Sequence, residues 1–167
     1  MTRIPPRLAA ALAALAAGLA LGTAFAFEWW GGLVPCPLCL VERWPYRIAI
    51  GFGLLGVLLP PRIGRWALVG VLLAGLADIG ASGTHVGVEF GWWPSPLPEC
   101  AAPHFQQGSI AERLRSMPAH PSKSCEDAVY PVEQIPLSFA QLGLIYAVLF
   151  SAGAGVLLAR TGEGPKA

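Results

Sequence analysis

Charge is what this sequence has least of: Lys and Arg number 11 and Asp and Glu 10 among 167 residues, 13% in all. With an apolar share of 54% and a mean hydropathy of +0.57, that excludes an ordinary soluble domain, in which about 25% of residues are charged. A formal net charge of +1 gives no basic surface and no reason to expect a nucleic-acid partner. Histidine is nearly as scarce. His85, His104 and His120 share no metal-ligand spacing, and the one C-x-x-C has no second half-site beside it, so no metal is expected. Cysteine occurs four times, as a tight pair, Cys36 and Cys39, and a wide pair, Cys100 and Cys125.

What the chain does have is long uncharged runs. Leu8 to Phe27 is 20 residues without a charge, enough to cross a ~30 Å hydrocarbon core at ~1.5 Å per residue. Gln134 to Ala159 is another, with Pro136 suited to a first helical turn. Trp66 to Thr84 is interrupted only by Asp78. Trp44 to Pro61 is the weakest, because Arg47 lies inside it and must snorkel outward. The six tryptophans support the limits: Trp29, Trp30, Trp44, Trp66, Trp92 and Trp93 all stand at run ends or just beyond, as suits rings that favour the membrane interface. The fold expected is an all-α integral membrane protein, a four-transmembrane-helix bundle forming a single domain. Its spans are 8–30, 44–61, 66–85 and 136–159, and its exported loops 31–43 and 86–135.

Basic residues orient it. Arg3, Arg7, Arg62, Arg65, Arg160 and Lys166 fall in segments that an even helix count places on one side, so both termini are expected to be cytoplasmic and all four cysteines exported. Arg3, Arg7 and Ala24-Phe25-Ala26 also read as a signal peptide with a cleavage site. The run is longer than a signal core, however, and Trp29-Trp30 close it like a permanent span. The long loop is rich in proline, from Pro94 to Pro131. Within it Ser109 to Ser116 has a capping-box pattern, Ser109 with Glu112, and an apolar face of Ile110 and Leu114, so a short amphipathic helix on the membrane is expected.

Disulfides persist on the exported side. A bridge across two intervening residues removes little chain entropy, so a clamp explains Cys36–Cys39 poorly. A C-x-x-C whose thiolate is held by a helix N-terminus or a cation is reactive instead, and Arg43, one turn past Cys39, can supply the cation. For Cys100 and Cys125 the spacing suits a clamp of ~3 kcal/mol as well as a redox pair, and four cysteines allow three pairings.

Cys36-Pro-Leu-Cys39-Leu-Val-Glu42-Arg43, followed by His85-Val-Gly-Val-Glu89-Phe-Gly-Trp-Trp93-Pro-Ser-Pro ahead of Cys100, resembles the bacterial disulfide bond formation protein B (DsbB) family over nearly the whole chain. The resemblance implies a protein-disulfide oxidoreductase of the bacterial inner membrane. Such a protein reoxidises a periplasmic thioredoxin-fold oxidase of the DsbA type and passes two electrons to ubiquinone or menaquinone. A partner of that type is known to be strongly oxidising, at ~−120 mV, so recharging it needs a strong terminal acceptor. By resemblance the partner attacks Cys100 of a Cys100–Cys125 disulfide, Cys125 exchanges with Cys36, and Cys39 contacts the quinone. Arg43 would then stabilise the Cys39 thiolate and polarise a quinone oxygen, and His85 would hydrogen-bond or protonate the quinone. The stretch after Cys125 matches weakly. The vitamin K epoxide reductase-like family also couples quinones to disulfides, but its loop cysteines precede the C-x-x-C. A non-catalytic scaffold with structural disulfides is the third reading.

Other polar residues are less specific. Asp78, Ser82 and His85 share a helical face, so Asp78 either orients His85, relays protons or bonds a neighbouring helix. Glu42 and Glu89 read as solvated interface charges rather than catalysts.

Overall fold

The computed structural model describes residues 3–100, 110, 123–131, 134 and 136–161. Four long helices make up most of it: α1 (Pro6–Trp29), α2 (Pro37–Leu58), α3 (Pro61–Glu89) and α4 (Phe139–Arg160), with a single 3-10 turn at Pro98–Cys100. No strand occurs among the described residues, where Ile4 and Thr161 form one isolated bridge that ties the start of α1 to the end of α4. The short helix expected at 109–116 lies, Ile110 apart, outside the described residues.

Helix starts follow local chemistry. Pro6, Pro37 and Pro61 each occupy a first-turn position, where a missing N–H costs nothing and φ is already helical. α4 starts differently. Ser138 accepts the Gln141 N–H, and the Gln141 side chain accepts the Ser138 N–H, closing a capping box. Pro136 therefore stays outside the helix rather than in its first turn. α2 and α3 extend past the expected spans, α2 starting at Pro37 and α3 running to Glu89. A backbone helix does not stop where polarity changes. Inside α2, Pro45 removes one ladder donor.

Packing is inverted relative to a soluble protein. Small side chains make up most of the interior, Ala9, Ala10, Ala13 and Ala17 of α1, Ala49 of α2, Ala74 of α3 and Ala154 of α4, around Tyr46, Leu68, Val71 and Phe150. Large ones, among them Leu15, Leu19, Leu58, Leu73 and Leu149, face outward. Association in lipid gains nothing from burying leucine, so close backbone approach drives it. A Cβ on Gly53 would stand 2.7 Å from the Ala14 Cβ, and one on Gly56 2.7 Å from the Ala10 Cβ. Consecutive helices pack on one another, and α1 also meets α4. Three of the four, α1, α3 and α4, are long and apolar enough to cross a membrane. α2 carries Glu42, Arg43 and Arg47 in its first half.

A second, smaller cluster lies at one end of the bundle. Cys36 and Leu38 from the start of α2, Val88 from the end of α3, and Cys100 and Cys125 are buried together, with Cys39 and Leu97 against them.

Candidate active site

The site grows from the first turn of α2. Cys36 is the N-cap, extended at φ −79° and ψ 163°, and its Sγ accepts the backbone N–H of Cys39 at 3.1 Å. That geometry places a sulfur where the unpaired N–H groups of a helix start favour negative charge. The Cys36 and Cys39 sulfurs are 2.6 Å apart and unbridged. Donation by Cys39 holds the Cys36 thiol below its ordinary value of 9.0, although burial opposes this. The same hydrogen bond pushes the Cys39 thiol up, and burial adds to the rise. Of the two, Cys36 is the more readily deprotonated and Cys39 the less.

His85 reaches this pair from the last turns of α3. Its Nε2 lies 3.4 Å from the Cys36 sulfur and its Nδ1 2.8 Å from Glu42 Oε1. Glu42 is not a solvated interface charge: its side chain is 13% exposed and paired with the imidazole. Glu89 is half-buried. Its carboxylate accepts the Ser138 hydroxyl at 2.6 Å and so fastens the start of α4 to the end of α3.

On the other side of Cys39 a cleft of about 520 Å³ opens between α1, α2 and α4. Leu19, Leu21, Ile145 and Leu149 make its walls apolar, and Cys39, Glu42, Arg43 and Tyr46 give it a polar edge. Arg43 is buried in that edge, but its guanidinium is held by Glu28 at 2.8 Å and lies over the Phe25 ring, 4.8 Å from the centroid. Its charge is thus shared with Glu28. His85 does not line the cleft; it stands behind the dithiol, on Cys36.

The remaining expected residues fall nearby. Cys100 and Cys125 are joined in a disulfide, buried at 0% and 1% exposure against Cys36. Ser124 Oγ and the Cys125 N–H both donate to the Cys100 carbonyl, which pins the bridge. Asp78, Ser82 and His85 are all buried, as one helical face requires. Asp78 is fully enclosed, and neither carboxyl oxygen has a hydrogen-bond partner among the described residues. The Tyr46 side chain of α2 faces it.

One donor set is visible only in three dimensions. Ligand atoms of Cys36, Cys39 and His85 lie within 4.8 Å of one another, the count for a Cys₂His centre. Local spacing missed it because His85 comes from another helix. Bonds of ~2.3 Å in a tetrahedral site would hold two sulfurs ~3.8 Å apart, well beyond the observed 2.6 Å.

Glu28, the pairing of Glu42, and Tyr46 were not expected at the site. Glu42 carried a signal, since it stands three residues past Cys39 on the same helix. Glu28, a lone acid beside the interfacial tryptophans, carried a fainter one. The family model for Disulfide bond formation protein DsbB matches residues 6–157. No curated protein and no solved structure matches the chain.

Proposed function

The chain belongs to the disulfide bond formation protein DsbB family, and from that premise we propose that it is a thiol–quinone oxidoreductase that recharges an exported DsbA-type thiol oxidase. The observation that carries this reading is Cys39 in the wall of an apolar cleft while a second disulfide packs on Cys36, its neighbour in the C-x-x-C. On this reading α2 is the fourth span, both termini are cytoplasmic and the cysteines face the periplasm of a bacterial inner membrane.

The residues present fit a lipid quinone, ubiquinone or menaquinone. The cleft offers apolar walls for a flat ring and its tail, with the Cys39 thiol, the Arg43 guanidinium, the Glu28 and Glu42 carboxylates and the Tyr46 hydroxyl among its polar groups. When bound, the quinone supplies the sink for two electrons and two protons. The protein's own residues do the rest. A partner thiolate opens the Cys100–Cys125 bond; the partner's second thiol displaces it, leaving the partner oxidised and Cys100 and Cys125 reduced. These two then reduce a Cys36–Cys39 bridge and close their own. The structure has the thiol and disulfide states of that last product: Cys36 and Cys39 unbridged, Cys100 and Cys125 joined. Cys100 is fully enclosed, so its sulfur must become exposed before a partner can attack. Cys36 accepts the hydrogen bond of Cys39 and stands ready for exchange, while Cys39 faces the cleft. Arg43, fixed by Glu28, offers the cleft guanidinium N–H donors.

Anaerobic mixing of the purified protein with a reduced thioredoxin-fold oxidase and quinone tests this. Quinone absorbance should fall with oxidation of the partner and stay constant with Cys39→Ser. No turnover with several quinones and partners would contradict it.

A further inference from the structure

Moving two electrons from two thiols to a quinone also moves two protons, and although Cys39 lines the cleft, Cys36 does not. Cys36 touches His85, and His85 does not reach the cleft. One side chain does both. Glu42 binds His85 Nδ1 through Oε1 and itself lines the cleft. Its Oε2 points at α4, 3.6 Å from where a Cβ on Gly143 would stand, and Gly143 is part of the cleft wall.

We infer that Glu42 is the proton carrier of this centre, taking protons from the dithiol through His85 and delivering them into the cleft. The inference rests on the thiol–quinone reading above and adds a residue to it. The balance is complete with the quinone as oxidant. The Cys36 proton passes to His85 Nε2, the Nδ1 proton passes to Glu42 Oε1, and the carboxyl releases it from its cleft-facing oxygen to a quinone oxygen. The Cys39 proton, held between the two sulfurs, follows by the same route as the Cys36–Cys39 bond closes. In sum, two thiols become one disulfide, and the quinone gains two electrons and two protons.

The surroundings suit a proton shuttle. Arg43, the adjacent cation, is occupied by Glu28 of α1 and does not hold the Glu42 carboxylate. From α2 the titratable neighbours are Cys36, Cys39 and Tyr46, and from α3 Asp78, His85 and Glu89. α4 contributes Gly143 rather than a charge to the contact. The opening at Gly143 leaves the carboxylate free to turn.

Glu42→Gln separates carriage from positioning, because the amide oxygen still accepts the His85 N–H but cannot take the proton. Two measurements on the reduced protein decide the matter. In anaerobic single turnover, Glu42→Gln should reduce quinone about a hundredfold more slowly than wild type, the lower end of the range for losing a general acid–base, and Glu42→Asp should regain part of that loss. In alkylation by iodoacetamide without quinone, Glu42→Gln should react at lower pH than wild type, because the carboxylate charge opposes the Cys36 thiolate. A more reactive thiol with slower quinone reduction is an outcome that disturbed packing would not produce. Quinone reduction by Glu42→Gln within threefold of wild type would overturn the inference. So would an alkylation profile that does not move. Wild-type protein that alkylates normally and reduces no quinone would overturn the function beneath it instead.

Discussion

Arg43 lines the cleft because Glu28 holds it there, and that pair should be measurable. The ionic groups are 2.8 Å apart, with the Arg43 side chain 9% and the Glu28 side chain 29% exposed. At an effective dielectric of ~20 the gross attraction is about 6 kcal/mol. Desolvation offsets much of it, the partial exposure of Glu28 screens more, and the contact is an ion pair rather than an aligned hydrogen bond. Glu28→Gln should therefore destabilise the protein by about 2 kcal/mol, chiefly by leaving a buried guanidinium unpaired. Arg43→Met removes the charge that needs a partner, so Glu28→Gln on that background should cost far less. Unfolding of the four proteins in one detergent completes the cycle, with an expected coupling of at least about 1 kcal/mol. Additivity within ~0.5 kcal/mol would refute the claim that Glu28 positions Arg43. Stacking on Phe25 survives Glu28→Gln, so it does not enter the coupling.

The dithiol itself should titrate asymmetrically. A lowered thiol pKa keeps the thiolate present at lower pH, so alkylation of Cys36 should rise with pH with its midpoint below 9.0. Cys39→Ala, which removes the sulfur donor, should move that midpoint back up. Helix packing gives a paired test: Gly56→Ala puts a Cβ 2.7 Å from the Ala10 Cβ, whereas one at Gly18 meets nothing within 4 Å. Thermal unfolding should show Gly56→Ala destabilised by roughly 1–2 kcal/mol and Gly18→Ala neutral or stabilised by up to ~1 kcal/mol. Ser138→Ala loses both the α4 cap and the bond to Glu89, so unfolding should register a loss of about 1–2 kcal/mol.

Uncharged runs and prolines made the helices legible, because both act locally. The beginning of α2 was not, since polarity places a membrane boundary near Trp44 while Pro37 and the Cys36 cap set the backbone boundary seven residues earlier. The C-x-x-C was readable for the same local reason. Its environment was not. Spacing correctly puts Arg43 one turn from Cys39 but cannot reveal that Glu28, on α1, competes for the guanidinium. Glu42 looked solvated because its partner is on α3, 43 residues away. The grouping of Cys36, Cys39 and His85 depends on how α2 and α3 pack, which the small residues between helices decide.

The central claim is that the Cys36–Cys39 pair gives its electrons directly to quinone, and single turnover without a partner tests it most directly. Reduced protein carrying Cys100→Ser and Cys125→Ser, mixed anaerobically with excess quinone, should form one quinol for each Cys36–Cys39 bridge closed and none once Cys39→Ser is added. Unchanged quinone in the protein with both thiols intact, or equal loss after Cys39→Ser, would contradict the account.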